Sequence, residues 1–199
     1  MTNNKALFMK WIQNLFYVGC IALAVSVISQ IPVVGSWVSW ITRVISIITI
    51  VILYKLIPLN ERYQKAAIFM AASTIAGFLV SKVGLLLLVG SVCGFIATYQ
   101  EYIGHSEVIE NVDKKFSNNW RSLFHWELWG GLVLSFIVSG AITILSIINI
   151  FDVELLTNAT QMILVVFNLV IQGVYVLLLK RMITIYTNYE SPVEGVEGE

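Results

Sequence analysis

The segment Trp37–Ile57, WVSWITRVISIITIVILYKLI, carries two charged side chains, Arg43 near its start and Lys55 near its end, and is otherwise almost wholly apolar. A helix rises 1.5 Å per residue, so about 20 such residues cross the roughly 30 Å hydrocarbon layer of a bilayer. The segment therefore reads as a transmembrane helix. Stretches of the same kind lie at Ile12–Ile31, Gln64–Ser81, Gly84–Tyr102, Trp126–Ile148 and Asn158–Lys180. The composition agrees: 58% of the 199 residues are hydrophobic and 12% charged, and the mean hydropathy is +0.83. Six spans take roughly 120 positions, which leaves loops and tails but no soluble domain.

The expected fold is therefore all-α, a polytopic membrane bundle of six transmembrane helices over residues 1–187, with residues 188–199 as a tail. Breaks are expected from Gln30 to Ser36, at Pro58-Leu59-Asn60, at Lys82-Val83-Gly84 and from Asp152 to Thr157, where Pro, Gly and polar residues interrupt the apolar runs. The third and fourth spans are separated by a short link, and a re-entrant pair would use much the same residues.

Basic residues are retained on the cytoplasmic side of a membrane. With the N-terminus inside, that side receives Lys5, Lys10, Lys55, Arg62, Lys65, Lys114, Lys115, Arg121, Lys180 and Arg181. The outer side receives Lys82, and Arg43 lies within a span. Both termini are thus expected in the cytoplasm of a cell-membrane protein. An odd number of spans would divide the basic clusters between the two sides. The first span reads as an uncleaved helix, because cleavage after Ala22-Leu23-Ala24 would leave Val25–Ile31 as a stub. Cys20 and Cys93 fall mid-span and read as small apolar side chains. Asn158-Ala159-Thr160 is a glycosylation sequon on the outer face.

The one long polar segment, residues 100–125, carries Ile109, Val112, Phe116, Trp120 and Leu123 at intervals of three and four, a helical stripe. The expectation is a helical cytoplasmic hairpin: the fourth helix runs on to about Phe116, Ser117-Asn118-Asn119 breaks it, and the fifth begins near Asn118. Lys114 and Lys115 would then complement the dipole at the end of the first arm. A helix lying in the headgroup plane is less consistent with Glu101, Glu107, Glu110 and Asp113, which anionic lipid would repel. Tyr189–Glu199 is acidic and rich in Gly, and reads as a disordered tail.

Polar groups inside the membrane are costly and call for an explanation. The second span sets Ser39, Thr42, Arg43, Ser46 and Thr49 on one face, and the sixth sets Gln161, Asn168, Gln172 and Tyr175 on one face. These stripes form a candidate intramembrane polar site, lining a cavity or bonding helix to helix. Small residues recur every four positions at Gly90/Gly94/Thr98, at Ser73/Gly77/Ser81 and at Gly131/Ser135/Ser139/Thr143, as close helix packing requires. Packing within the chain explains them, with a homodimer through Gly90 and Gly94 as the alternative.

Net charge is zero, from 12 basic and 12 acidic residues, which excludes a nucleic-acid binder on electrostatic grounds. The motifs of zinc proteases, serine hydrolases and P-loop enzymes are absent. No cofactor, metal or catalytic residue is assigned, although Glu101 and His105, four apart on a helix, could offer two ligands to one metal in a membrane enzyme. The leading expectation is a non-enzymatic membrane protein that serves as a partner-binding accessory subunit. Its cytoplasmic contact would use Glu101, His105, Glu110, Asp113 and Trp120. The alternative is a small-solute transporter or channel built on Arg43 and the Asn168/Gln172 face.

Overall fold

The computed structural model describes residues 2–31, 35–79, 84–131, 133 and 153–189, and every regular element among them is helical. In chain order these are α1 (Thr2–Ile28), α2 (Gly35–Leu56) continued by a 3-10 turn (Ile57–Leu59), α3 (Arg62–Leu79), α4 (Leu85–Glu110), α5 (Lys114–His125) continued by a π-helical turn (Trp126–Gly130), and α6 (Val153–Asn188). Among the described residues, four stretches are long and apolar enough to cross a membrane: Lys5–Ile28, Trp37–Leu59, Leu85–Glu110 and Thr160–Asn188. They coincide with the expected first, second, fourth and sixth spans. α3 occupies the expected third span, but its first turn carries Arg62, Gln64 and Lys65, which keeps its 18 residues outside that group. Beyond Trp126–Gly131 and Val133, the expected fifth span lies outside the described residues, as do the Ser135/Ser139/Thr143 seam, Pro32–Val34, Ser81–Val83, Asp152 and the tail from Glu190.

Two boundaries differ from expectation. α4 stops at Glu110 rather than Phe116, and the chain turns at Asn111 and Val112 before Asp113 adopts extended backbone and caps α5, its carboxylate accepting from the Phe116 N–H at 2.8 Å. This cap satisfies one of the N–H groups that a helix start leaves unpaired. Ser117, expected to break the helix, lies inside α5, where its hydroxyl meets Ser106 Oγ at 2.8 Å. Lys114 and Lys115 consequently sit in the first turn of α5, exposed to solvent, and not at the end of a first arm. α6 likewise starts at Val153, so the residues from 153 to 157 are helical instead of a loop.

Side-chain contacts gather four parts of the chain at one end of the bundle. Lys5 Nζ donates to the Tyr189 carbonyl, the Phe8 ring lies 4.2 Å from that of Tyr186, the Tyr186 hydroxyl donates to the Val108 carbonyl at 2.9 Å, and Asn60 donates to Glu107 at 2.9 Å. The N-terminus, the α2–α3 connection, the α4–α5 turn and the end of α6 are therefore neighbours. The buried core concentrates there, with Phe8, Ile12 and Leu15 of α1, Leu53 and Leu56 of α2, Phe116 and Trp120 of α5, and Leu179 and Met182 of α6. Away from it, Ile21, Trp37, Trp40, Leu87, Leu88 and Met162 turn outward. That surface is what a helix presents to lipid, where close packing rather than expulsion of water holds helices together.

The small-residue seam of α4 packs within the chain. Ser73 Oγ donates to the Gly90 carbonyl at 2.8 Å, a Cβ on Gly90 would lie 3.3 Å from Ala76 Cβ, and one on Gly94 would lie 3.1 Å from Ser73 Oγ. These glycines are occupied by α3. A closer approach occurs at Gly130, where an added Cβ would fall 2.5 Å from Phe167 Cζ. Gly130→Ala is expected to cost about 1–3 kcal/mol by overpacking, and Phe167→Leu in the same chain should recover part of it. Unfolding in a mixed-detergent titration checks this; a double variant no more stable than Gly130→Ala would show that the ring contact is not the cause.

Candidate functional site

The cytoplasmic-contact residues read from the sequence do not form one exposed face. Glu101 is 5% exposed, and His105 and Trp120 are fully buried. The α4–α5 turn brings the two helices together along their apolar stripe, and α3 and α6 close over the rest of α4. Glu110 and Asp113 remain half-exposed, but Glu110 pairs with Arg121 at 2.9 Å and Asp113 is the cap of α5. A contact surface through Glu101, His105 and Trp120 is thereby corrected to a buried network.

That network begins with His105, whose Nδ1 lies 2.8 Å from the Tyr63 hydroxyl and whose Nε2 lies 3.6 Å from Glu101 Oε1. A phenol donating to Nδ1 puts the ring hydrogen on Nε2, facing the carboxylate. Glu101 Oε1 also accepts from the Tyr175 hydroxyl of α6. Aromatic rings pack the network: Trp120 lies 4.6 Å from His105, 5.7 Å from Tyr102 and 5.7 Å from Tyr175, and Tyr102 stacks on Tyr175. Gly104 permits this approach, because a Cβ there would stand 3.2 Å from the Tyr63 ring. Tyr102 in turn lies beside Glu127 of the π-helical turn, whose Oε2 is buried without a partner. An extra residue in a helical turn re-aims a side chain, and such turns are frequent at functional sites.

Towards the surface, Arg62 donates to Glu107 at 3.0 Å and to Gln100 at 3.1 Å. The Glu107 carboxylate raises the Arg62 pKa above its ordinary value. Arg121 reaches Ser106 at 3.0 Å as well as Glu110. These half-exposed pairs latch α3 and α5 onto α4.

The intramembrane polar residues separate into two places. On α2, Thr42 and Ser46 donate to carbonyls four residues back on their own helix, at 2.9 and 3.0 Å, as hydroxyls in helices commonly do. Arg43 lies over the Phe78 ring of α3 at 4.4 Å and over Trp40 at 5.3 Å, a cation–π arrangement. Ser39 lies on the same helix and is exposed. On α6, Asn168 is exposed, whereas Gln172 and Tyr175 turn towards α1 and α4. Arg43 of α2 thus packs on α3, while Gln172 and Tyr175 of α6 face α1 and α4.

Gln172 and Tyr175 border a cavity of about 220 Å³. α1 contributes Gly19 and Ala22, and α4 contributes Thr98, Glu101 and Tyr102. The Gln172 Oε1 atom is buried with no partner. The cavity is smaller than the roughly 300–1,000 Å³ of drug-sized sites, so it suits a small molecule. A Cβ on Gly19 would lie 3.3 Å from Val176 and 3.4 Å from the Tyr175 ring, which keeps α1 and α6 close at its edge. Tyr63, Tyr102 and Glu127 were not singled out from the sequence, and Thr98 was read only as part of the Gly90/Gly94/Thr98 seam. Tyr63 gives no local signal, since its partner lies 42 residues away, and Glu127 meets Tyr102 only through the tertiary fold.

Among the described residues, no three His, Cys, Asp or Glu side chains converge as metal ligands would. His105 Nδ1 is already held by Tyr63, which removes one donor from the Glu101/His105 metal reading. Cys20 and Cys93 are free and half-buried. No family model, curated protein or solved structure matches this chain.

Proposed function

We propose that this chain is a non-enzymatic, multi-pass cell-membrane protein that binds a small solute in the cavity between α1, α4 and α6. The observation that carries this reading is the pairing of a buried carboxylate, Glu101, with an unpartnered buried amide oxygen, Gln172 Oε1, on one cavity wall. A bundle built only for packing would gain by replacing such groups with apolar ones. The accessory-subunit reading draws less support, because Glu101, His105 and Trp120 face inward. Native mass spectrometry after gentle solubilisation tests the proposal. A small-molecule mass should be retained by the wild type and lost in Ala22→Phe, which fills the cavity from α1. Absence of any such mass, or one insensitive to Ala22→Phe, would overturn it.

The proposed topology is six spans with both termini cytoplasmic. Its support is the ten-to-one distribution of basic residues between the two sides, together with the contacts that join the N-terminus, Asn60, Glu107 and Tyr189 at one end. Exposed tryptophans at Trp37 and Trp40 and at Trp126 and Trp129 suit the two interfacial belts. On a background lacking Cys20 and Cys93, single cysteines at Ser36, Lys82 and Asp152 should react with an impermeant thiol reagent from outside. Cysteines at Glu61 and Asn118 should not, and outside labelling of Glu61 would reverse the orientation.

A further inference from the structure

We infer that the solute held beside Glu101 is a small organic cation bearing N–H donors, of the alkylammonium class. This rests on the solute-binding reading above and adds its chemistry. Among the described residues, two of the three hydroxyls on the cavity wall have their hydrogens committed elsewhere. Thr98 donates to the Gly94 carbonyl at 3.2 Å and Tyr175 donates to Glu101, while the Tyr102 hydroxyl lies beside the Glu127 carboxylate. What Thr98 and Tyr175 still offer is lone pairs.

Glu101 adds a carboxylate, and Gln172 turns an unpartnered oxygen into buried space. Among the described residues, the Gln172 amide nitrogen and the Tyr102 hydroxyl are the side-chain donors left on the wall. Among the described residues no lysine or arginine borders the cavity, and His105 meets Glu101 from outside the lining, with its Nδ1 engaged by Tyr63. An anion would face a carboxylate without a counter-charge. A neutral acceptor would leave the lone pairs unanswered. An ammonium group answers both, donating to Glu101 and to Gln172 Oε1, while the rings of Tyr102 and Tyr175 border the same space and favour a cation.

The test uses the full-length detergent-solubilised protein and thermal unfolding with three probes of similar size: ethylammonium, acetamide and propionate. Ethylammonium should raise the melting temperature in a saturable way, and acetamide and propionate should not. Glu101→Gln should weaken the apparent ethylammonium affinity by about tenfold or more, the loss expected for a charge-assisted hydrogen bond. Gln172→Leu, which leaves the Glu101 network in place, provides a second reading and should also weaken it. Equal or greater stabilisation by acetamide or propionate would overturn the cation assignment and leave the small-solute reading standing. Loss of stabilisation by all three, together with no retained mass in the native spectrum, would overturn both.

Discussion

Trp120→Ala should destabilise the protein by about 3–5 kcal/mol, the range for truncating a large buried aromatic side chain. The indole is fully buried and touches His105, Tyr102 and Tyr175 at once, so α5 loses its main anchor to α4 and α6. Aromatic pairs add about 0.5–1.5 kcal/mol each beyond their buried area, which places this site at the upper end. Trp126, six residues on, is 69% exposed and provides the comparison. Trp126→Ala should change stability by a fraction of that amount. Mixed-detergent unfolding followed by circular dichroism measures both, and equal losses at the two positions would show that α5 is not anchored through Trp120.

The second large effect is expected at the Tyr63–His105 pair. Tyr63→Phe removes the hydroxyl and leaves His105 Nδ1 buried without a partner, which costs about 1–3 kcal/mol. His105→Leu leaves the Tyr63 hydroxyl unpaired and also removes the imidazole nitrogen that lies 3.6 Å from Glu101 Oε1, so its cost should exceed that of Tyr63→Phe. The double variant should cost less than the sum of the two, with a coupling of about 0.5–3 kcal/mol. Additive losses would mean that the 2.8 Å contact contributes nothing to stability. The pair joins α3 to α4 at the level of the cavity, so a loosened Tyr63–His105 contact should also lower any solute-induced thermal shift.

The hairpin shows how far pattern reading reaches. The stripe Ile109, Val112, Phe116, Trp120 and Leu123 was legible from its spacing, and all of these but the half-buried Val112 at the turn are buried. The turn was misplaced because Ser117-Asn118-Asn119 looks like a breaker in isolation, whereas Asp113 supplies a cap with a bonded N–H, and Ser117 finds a partner in Ser106 that no local pattern could reveal. The candidate polar residues followed the same course. Thr42 and Ser46 drew attention because hydroxyls are costly in lipid, yet each is satisfied within its own helix. Gln172 and Tyr175 drew attention for the same reason, and they do border a cavity.

What the sequence determined by itself is the helical, membrane-compatible character of the chain, because length and apolarity are sums along the backbone and need no knowledge of neighbours. It also determined the Pro58–Asn60 break between α2 and α3 and the close-packed Gly90/Gly94 seam, since both follow from local geometry. The tertiary structure decided which faces meet. Glu101 and His105 are one turn apart on any helix, and whether they greet water, a metal or a partner depends on Tyr63 from α3, Trp120 from α5 and Tyr175 from α6. Burial of a charge is a property of everything packed around it, and that surrounding shell is assembled from segments far apart in the chain.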